Sequence, residues 1–353
     1  IVISSVARNP QPPEPAADKG DVNPAASNSA PPLLVILIAA CAFDAGGDPA
    51  IELQEPSRVR TVAETGSASI SRDRGASPET EKESDPVEHS EPLTALTWNL
   101  RWFGDPERLP ADDEHAYGFA LEVLASENAD IVALQEICNG EAFERLLSDL
   151  PQYSGVLASY RWQQRIALLW NQARWSLVSA RGLHGLRDAG RPPLAVRLQN
   201  RGKKLDLRVV VVHAKAGDEP ESRDTRESFA LGLLQRLRAL PADERRLLLG
   251  DVNDRLTASI VTGEPSPYRW WTADGDLVAL TAGLDGDDPA EPSTLWGDVV
   301  DHVFASPSLL DPEQSTQAEV LRDELLALEP DYLDTVSDHF PVRVVLSRFA
   351  RHW

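Results

Sequence analysis

Hydrophobic and polar positions divide the chain into two unequal parts. From Leu93 onward apolar runs recur regularly, whereas the preceding residues are rich in Pro, Ala, Ser, Asp and Glu and show little periodic apolar pattern. A segment of that composition has too few apolar side chains to offset the entropy lost on ordering. We therefore predict a leader over residues 1–40, a disordered acidic tether over residues 41–92 and one folded domain over residues 93–353.

Within the predicted domain, short apolar runs alternate with segments of helical period. Helices are predicted where apolar residues recur every three to four positions, and strands where short apolar runs are bounded by polar residues. Helices interspersed among many short strands suggest two sheets packed face to face with helices outside. The predicted helices are 112–126, 141–150 and 226–240, and the predicted strands are 94–100, 130–135, 155–160, 165–170, 194–198, 205–212, 246–249, 299–305 and 342–346.

Short polar clusters lie at the ends of several of these apolar runs. Together they supply carboxylates, carboxamides and imidazoles, a set that suits a metal ion, a phosphate group and a proton shuttle. Each cluster alone is also compatible with an ordinary strand end or turn, so their joint content and order carry the prediction. They lie at residues 97–100, 134–136, 212–215, 250–253 and 337–339, with a sixth at residues 300–303.

Strand geometry indicates which of these polar residues can act together. Side chains two positions apart share a face, so Asp251 and Asn253 point the same way, and Gly250 leaves room for a ligand or a neighbouring backbone. His213 ends an all-apolar run and shares its face with Lys215, so both can contact one phosphate. The alternatives are an ordinary turn around Asp251 and a core histidine bonded to a carbonyl group.

The cluster Ser337-Asp338-His339 resembles part of a serine-protease triad in composition only. Adjacent residues diverge in direction, so three consecutive residues cannot form that relay. Asp338 and His339 are therefore interpreted as separate contributors from one loop. Asp301 could orient His339 and raise its basicity, and Asp298 is the rival candidate.

Charge limits how the protein could bind a polyanion. The net charge is −22, and residues 1–92 contain 7 basic and 15 acidic residues, which leaves about −14 for the predicted domain. Proteins that grip duplex DNA usually present a basic surface, so positive charge here would have to be local or come from a bound metal. Glu136, which ends an apolar run, is either solvated or holds such a cation. The alternative interpretation is that the acidity keeps an exported protein soluble.

The leader contains a continuous apolar stretch, residues 33–40, that ends at Cys41. It is much shorter than the roughly 20 residues that span a bilayer, and it suits the apolar core of a signal peptide. The segment Ile38-Ala39-Ala40-Cys41 resembles a bacterial lipobox, which predicts an exported cell-envelope lipoprotein tethered to the membrane through Cys41. The alternatives are a plain secretory signal and a mis-assigned upstream extension. With Cys138 as the other cysteine, no disulfide framework is expected.

The polar clusters, taken in order, resemble the endonuclease/exonuclease/phosphatase superfamily, which has the deoxyribonuclease I-like fold. The resemblance covers about residues 93–349 and implies an α+β, four-layer α/β/β/α sandwich of two mostly antiparallel sheets. It also implies a phosphoesterase that depends on a divalent metal. The matching stretches are Thr97-Trp98-Asn99, Leu134-Gln135-Glu136, His213-Ala214-Lys215, Gly250-Asp251-Val252-Asn253, Asp301-His302-Val303-Phe304 and Ser337-Asp338-His339-Phe340.

The same resemblance implies ligands for metal and substrate. Glu136 would bind Mg²⁺ or Mn²⁺, with help from Asn99 and Asp338. Lys215 and Asn99 would contact the substrate. These assignments follow the superfamily motifs, and oxygen ligands of this kind are those that Mg²⁺ prefers.

Catalytic roles are likewise implied by the motifs. His339, oriented by Asp301, would act as the general base on the attacking water. Asp251 and Asn253 would position water, phosphate or a second metal. His213 would stabilise the transition state or protonate the leaving oxygen.

Superfamily membership does not name the substrate. The first hypothesis is an exported, monomeric nuclease or phosphodiesterase acting on nucleic acid, and the second is a sphingomyelinase-like lipid phosphodiesterase. The third is a non-catalytic surface-binding module that has kept the fold. Trp270 and Trp271 could stack bases or enter a membrane interface, or they could pack in a core covered by loops.

Overall fold

The protein is represented by a computed structural model that describes residues 36–37, 92–108, 113–160, 163–186, 191–202, 205–286, 289–311 and 315–347. The predicted leader and acidic tether, including Cys41, lie outside the described residues except for the short strand at Ile36–Leu37 and the last tether residue, Pro92. The lipoprotein assignment therefore stays a prediction. Among the described residues, no helix combines the length and the apolar character needed to cross a membrane.

The described chain alternates strands with helices, as the sequence pattern predicts. The strands are β1 (Ile36–Leu37), β2 (Leu93–Phe103), β3 (Ile131–Ile137), β4 (Tyr153–Leu157), β5 (Arg165–Asn171), β6 (Trp175–Gly182), β7 (Leu194–Asn200), β8 (Asp206–His213), β9 (Arg246–Asp251), β10 (Val278–Ala279), β11 (Asp301–Ala305), β12 (Thr316–Val320) and β13 (Val342–Leu346). The helices are α1 (Asp113–Glu127), α2 (Gly140–Asp149), α3 (Pro220–Arg238), α4 (Arg269–Ala273), α5 (Arg322–Leu328) and α6 (Tyr332–Thr335).

These strands form two mixed sheets. The first has the order β1-β4-β5-β3-β2-β13-β12 and the second the order β10-β11-β9-β8-β7-β6. Most neighbours are antiparallel, but each sheet has a parallel pair near its centre, β2 with β3 and β8 with β9. Because parallel neighbours end at the same edge of a sheet, each pair brings two carboxyl ends together, where ligands commonly bind in mixed sheets.

Strand β8 shows how the sheets pack. Val209 and Val211 lie in the apolar layer between the two sheets, whereas Val210 and Val212 lie in the layer under helix α3. Both faces of this central strand are therefore buried, which explains an apolar side chain at four successive positions.

Helices cover the outer face of each sheet. Phe143 and Leu146 of α2 pack on the first sheet, together with residues of α1. Phe229 and Leu233 of α3 pack on the second sheet with Trp271 of α4. The helical stripes predicted from the sequence are thus the buried faces, and the predicted four-layer α/β/β/α sandwich is confirmed.

Some elements differ from the sequence prediction. Strands β6 and β12 were not predicted, because each lies at a sheet edge and most of its residues are half-buried or exposed. An edge strand shows little apolar alternation when only one neighbour covers it. Helix α3 begins at Pro220, six residues before the predicted start, and proline suits the first turn of a helix.

Two glycines differ in how much room the structure leaves for a side chain. Gly250 in β9 has a φ of +146°, and a Cβ atom there would lie 2.0 Å from the carbonyl oxygen of Val212 in β8. The glycine thus accommodates the neighbouring backbone. Gly118, inside α1, has nothing within 4 Å of the position of a Cβ atom.

We expect Gly250→Ala to lower the free energy of unfolding by about 3 kcal/mol or more, because overpacking and backbone strain add. Gly118→Ala, the matched control, should raise it by roughly 0.5–1 kcal/mol, because alanine favours a helix over glycine. Urea or thermal unfolding of the variants measures both effects. An unchanged midpoint for Gly250→Ala would contradict the close approach of β8 and β9.

Candidate active site

Polar side chains from four strands meet at one end of the layer between the sheets. Asn99 on β2, His213 on β8, Asp251 on β9 and Asp301 on β11 continue the inward-facing positions of their strands. Asp251 lies opposite both His213 and Asp301 in the strand ladders. Each of the four is at most 3% exposed. The apolar layer therefore ends in a buried polar cluster.

Asn99 joins two carboxylates in this cluster. Its Nδ2 donates to Oδ2 of Asp251 at 3.0 Å and to Oε1 of Glu136 at 3.3 Å. Its Oδ1 accepts from the backbone N–H of Arg101 at 3.0 Å. In this arrangement the amide nitrogen of Asn99 faces the carboxylates, so the side chain positions them; the structure does not turn its oxygen toward a shared cation position.

Glu136 reaches the cluster through a break in strand regularity. Simple alternation would put it on the face of Leu134, which packs under the outer helices. Instead the register of β3 shifts after Leu134, and Glu136 has a φ of +63°. This bulge turns the carboxylate toward Asn99, and its Oε2 accepts from the N–H of Trp102 at 3.0 Å.

Left-handed backbone is concentrated around the site. Besides Glu136, the non-glycine residues Arg101, Trp102 and Asn253 have φ values of +42°, +55° and +54°. Such conformations cost of order 1 kcal/mol each and are retained where the surrounding structure fixes them. Both strand ends of the parallel pair β2–β3 are thus irregular at the point where they carry polar residues.

His339 is held by Asp301. Its Nδ1 lies 2.8 Å from Oδ2 of Asp301, and its Nε2 lies 3.9 Å from Oδ2 of Asp251. Asp298, the rival candidate from the sequence, instead lies 3.8 Å from Arg255. The imidazole therefore has one nitrogen fixed by a carboxylate and the other directed toward the carboxylate cluster.

A second set of contacts fixes the backbone of His339. Its carbonyl oxygen accepts from Oη of Tyr332 at 2.6 Å and from Nε1 of Trp98 at 3.3 Å. Ser293 donates its hydroxyl to Oδ2 of Asp301 at 2.8 Å. Ser337 donates to the carbonyl of Asn99 at 2.7 Å, so its hydroxyl links two segments. These bonds leave the imidazole little freedom to turn.

Burial and charge shift three pKa values in the cluster. Burial would lower the pKa of His339, but the carboxylates of Asp301 and Asp251 outweigh it and raise that pKa to about 10. Burial raises the pKa of the Asp251 carboxyl to about 7, against the opposing effect of His339. Burial, with Arg191 and His339 adding to it, holds the pKa of His213 well below its usual value, so this imidazole is neutral.

His213 lies between the two carboxylates. Its Nε2 is 3.4 Å from Oδ2 of Asp251 and 3.8 Å from Oε1 of Glu136. Its Nδ1 has no hydrogen-bond partner within the described part of the chain. The alternative of a core histidine bonded to a carbonyl is therefore not what the structure has. A neutral imidazole in this position can present an Nε2–H as a hydrogen-bond donor.

Sequence reasoning did not assign a role to Arg191. Its buried guanidinium donates from Nη2 to the carbonyl of Ala214 at 2.7 Å and from Nη1 to Gln164 at 3.1 Å. It thus supports the chain directly after His213. The sequence signals were the stretches Gly190-Arg191-Pro192-Pro193-Leu194 and Gln164-Arg165-Ile166-Ala167, which resemble bacterial members of the superfamily but do not by themselves indicate a tertiary contact.

Arg226 fixes the loop that carries Lys215. This fully buried arginine of α3 donates to the carbonyls of Lys215 and Gly217 at 2.9 and 2.7 Å and to Oδ2 of Asp254 at 2.8 Å. The ammonium of Lys215 is exposed and donates to the carbonyl of Ala216 at 2.9 Å. Among the described residues it makes no bond to the carboxylate cluster, so the predicted substrate contact is open to solvent.

The remaining predicted site residues lie next to the cluster. The N–H of Asn253 donates to Oδ1 of Asp251 at 2.8 Å, so this residue fixes the carboxylate orientation. Asp338 is 20% exposed and lies 3.7 Å from Nε of Arg101. Asp338 thus faces Arg101, and both side chains are more exposed than the buried carboxylates of the cluster.

The donor set fits a divalent cation. Ligand atoms of Asp251, Asp301 and His339 all lie within 4.8 Å of one another. Oδ1 of Asp301 is buried and has no hydrogen-bond partner among the described residues. Glu136 adds a third carboxylate through Asn99. Crowded, buried carboxylates with a free oxygen suit Mg²⁺ or Mn²⁺, which bind oxygen ligands and offset the negative charge.

Solved structures share this fold. The human nocturnin catalytic domain, with a bound sulfate anion, superposes with a TM-score of 0.56 at 22% identity, covering 73% of this chain and 95% of that one. The structure of D. rerio TDP2 complexed with single-strand DNA product has a TM-score of 0.52 at 14% identity, and the match covers 72% of this chain and 98% of that one. A Bacteroides thetaiotaomicron mannosyl-6-phosphatase has a TM-score of 0.51 at 15% identity, and the match covers 72% of this chain and 99% of that one.

Sequence comparison identifies the family of this chain but not its substrate. No curated protein matches the chain, so none names its substrate. The endonuclease/exonuclease/phosphatase family model matches residues 96–339, which include every predicted site residue. The chain therefore belongs to the endonuclease/exonuclease/phosphatase family.

Proposed function

We propose that this protein is a divalent-metal-dependent phosphodiesterase whose main substrate is nucleic acid. Members of the family are hydrolases that act on phosphoester bonds. The observation that carries the proposal is the pair His339–Asp301. The Nε2 of His339 faces Asp251, next to the carboxylate of Glu136 and the imidazole of His213. A base held in this way next to a cation site is suited to water attack on a phosphoester.

His339 is the proton acceptor in this proposal. Asp301 accepts the Nδ1–H of His339 and fixes the orientation of the ring. Without a cation, the carboxylates of Asp301 and Asp251 raise the pKa of His339 to about 10, so Nε2 is protonated. A bound cation would offset those carboxylates, lower this pKa and free the Nε2 lone pair for a proton from the attacking water. The carboxylate of Asp301 then stabilises the imidazolium that results. The bonds from Tyr332 and Trp98 to the His339 carbonyl hold the ring while it changes charge.

His213 acts as a hydrogen-bond donor. Its lowered pKa keeps it neutral, so it is poorly suited to deliver a proton as an imidazolium. An Nε2–H near Asp251 and Glu136 can instead bind a non-bridging oxygen of the phosphoryl group as negative charge develops there. Of the two roles implied for His213, stabilisation of the transition state is the better supported.

Glu136, Asp251 and Asp301 are the residues that would hold the cation. When bound, it supplies positive charge that neutralises these carboxylates and polarises the phosphoryl oxygens. Asn99 and the N–H of Asn253 orient two of these carboxylates with hydrogen bonds. Asp338, beside Arg101, lies further toward solvent, so a supporting role at the rim suits it better than a direct one.

Nucleic acid is favoured as substrate by one structural relative. The D. rerio TDP2 structure holds single-strand DNA product, and the nocturnin domain holds a sulfate anion. The net charge of about −14 over residues 93–353 argues against a tight grip on long duplex DNA. We therefore favour single strands or short nucleotide esters, with sphingomyelin and sugar phosphates as the alternatives to be tested.

The first test is hydrolysis of a substrate panel with and without EDTA. We expect cleavage of single-stranded DNA or RNA that requires Mg²⁺ or Mn²⁺ and stops when EDTA is added, because the carboxylate cluster needs the cation. Sphingomyelin, mannose 6-phosphate and bis(p-nitrophenyl) phosphate complete the panel. Hydrolysis of sphingomyelin without nucleic acid would make the protein a lipid phosphodiesterase, and inactivity on every substrate would favour the binding module.

Glu136→Gln tests the cation site. The amide keeps the acceptor for the Trp102 N–H but removes the negative charge. We expect kcat/KM to fall by about 100-fold or more and the Mg²⁺ concentration for half-maximal activity to rise. Glu141→Gln, an exposed carboxylate in the first turn of α2, is the matched control and should leave both values unchanged. Unchanged metal dependence in Glu136→Gln would remove Glu136 from the site.

His339→Ala tests the proposed base. We expect kcat to fall by about 10²- to 10⁴-fold, the usual contribution of a positioned acid–base group. Asp301→Asn should lose a large part of the same factor, because the amide cannot stabilise the imidazolium. His184→Ala, an exposed histidine near the end of β6, is the control and should retain full activity. Wild-type rates in His339→Ala would refute the assignment.

A further inference from the structure

Two adjacent large hydrophobic residues next to His339 face solvent. Leu295 and Trp296 are 52% and 59% exposed, although most large hydrophobic residues of the described chain are buried. The ring of Trp296 is nearly perpendicular to that of His339, with centroids 6.0 Å apart. Exposed apolar surface beside a polar cleft marks a place where a ligand binds. Trp296 therefore borders the proposed base, His339.

The backbone around Trp296 is fixed to the segment that carries the proposed base. Thr294 pairs with His339 as an isolated β-bridge, and the N–H of Leu295 donates to the carbonyl of Asp338 at 2.9 Å. The N–H of Gly297 donates to the carbonyl of Thr294 at 3.2 Å and closes a turn. The backbone that carries the indole is thus held in place, and little backbone ordering is needed when a ligand covers the ring.

The tryptophans singled out in the sequence do not offer a comparable surface. Trp271 is fully buried and donates its Nε1–H to the carbonyl of Ala230 at 2.8 Å, so it belongs to the core under α3. Trp270 is exposed on one side, but the guanidinium of Arg269 covers its ring at 4.6 Å and its Nε1 donates to Glu227 at 3.1 Å. Neither residue contacts the carboxylate cluster.

The chemistry of the Trp296 loop favours a flat, uncharged partner. Residues 289–300 contain no lysine or arginine, and their charged residues are Glu291 and Asp298. An anionic membrane surface attracts basic segments, so this loop has no electrostatic reason to approach one. An indole face stacks well on a nucleobase, and every base offers such a face. In a nucleotide the base is one sugar away from the phosphate.

We propose that Trp296 stacks on the base of a nucleotide whose phosphoester lies at His339 and Asp251. The protein therefore discriminates in favour of nucleotide esters over phosphoesters that lack a base. This inference rests on the proposed phosphoesterase function and assigns it a substrate class. In this proposal the exposed ring of Trp296 selects the substrate, and the hydrolytic groups play no part in that selection.

The test compares two ligands that differ only by a base. Adenosine 5′-monophosphate, a possible product of diester cleavage, and ribose 5-phosphate are titrated into the full chain with Mg²⁺ by calorimetry. We expect Trp296→Ala to weaken binding of the nucleotide about 5- to 150-fold, the range of one base–aromatic stack, and to leave ribose 5-phosphate unchanged. Trp296→Phe should retain most of the preference, and Trp270→Ala, the matched control, all of it.

Several outcomes would overturn the inference. They are equal losses for both ligands, no loss for either, or no detectable binding of the nucleotide by the wild-type chain. Loss of binding to sphingomyelin vesicles in Trp296→Ala, with nucleotide affinity unchanged, would overturn it in favour of a membrane contact. If the base preference depends on Trp296 but the substrate panel is inactive, the stacking inference holds and the hydrolase proposal fails. Unfolding midpoints confirm that the variants are folded.

Discussion

Carboxylates buried at the end of an apolar layer are the constraint on which this molecule depends. Asp251 and Asp301 are almost fully enclosed, and removing a charge from water costs several kcal/mol unless other groups compensate it. The chain supplies part of the compensation with the amide of Asn99, the N–H of Asn253 and the imidazole of His339. Burial raises the pKa of Asp251 to about 7 despite these donors, so the charged carboxylate is still destabilised, and a cation bound beside it would compensate for that cost.

The rest of the fold makes that concentration of charge possible. The parallel pairs β2–β3 and β8–β9 each end at one edge of a sheet, and packing the sheets face to face brings the two edges together. Apolar residues between the sheets exclude water from one side of the cluster, so its hydrogen bonds act in a medium of low dielectric constant. The buried Arg226, bonded to Asp254 and to two loop carbonyls, fixes the nearby loop without adding free positive charge.

The sequence predicted the parts of this arrangement that follow from periodicity. The central strands and the first three helices were recognised from their apolar positions, and alternation correctly placed His213 on a common face with Val209 and Val211. Asn253 lies beyond the end of β9 in left-handed backbone, where alternation no longer applies. Contacts made by irregular backbone were beyond that reasoning. Glu136 reaches the cluster through a bulge, and the edge strands β6 and β12 lack a buried pattern because one side of each has no neighbouring strand.

Side-chain partners chosen by tertiary contact were also not predictable. The sequence favoured Asp301 over its rival Asp298 as the partner of His339, and the hydrogen bond between Asp301 and His339 is visible only in the folded chain. The contacts of Arg191, Tyr332 and Trp296 could not be predicted, because each depends on how separate segments of the chain meet in the fold. The sequence drew attention to the adjacent pair Trp270-Trp271, whereas Trp296 is a single tryptophan. Only the fold brings Trp296 next to His339, which lies 43 residues further along the chain.

The ladder that sets Asp251 between His213 and Asp301 divides the chain into parts that tolerate change differently. An insertion or deletion of one residue inside β8, β9 or β11 would rotate the polar side chain to the opposite surface, so those strands are intolerant of length variation. The side chain of Trp296, at the tip of the turn, lies outside that ladder, whereas Thr294 and Leu295 are bonded to the segment of His339. Ligand preference in this architecture could therefore be reprogrammed by substitution at the tip while the hydrolytic machinery stays in place.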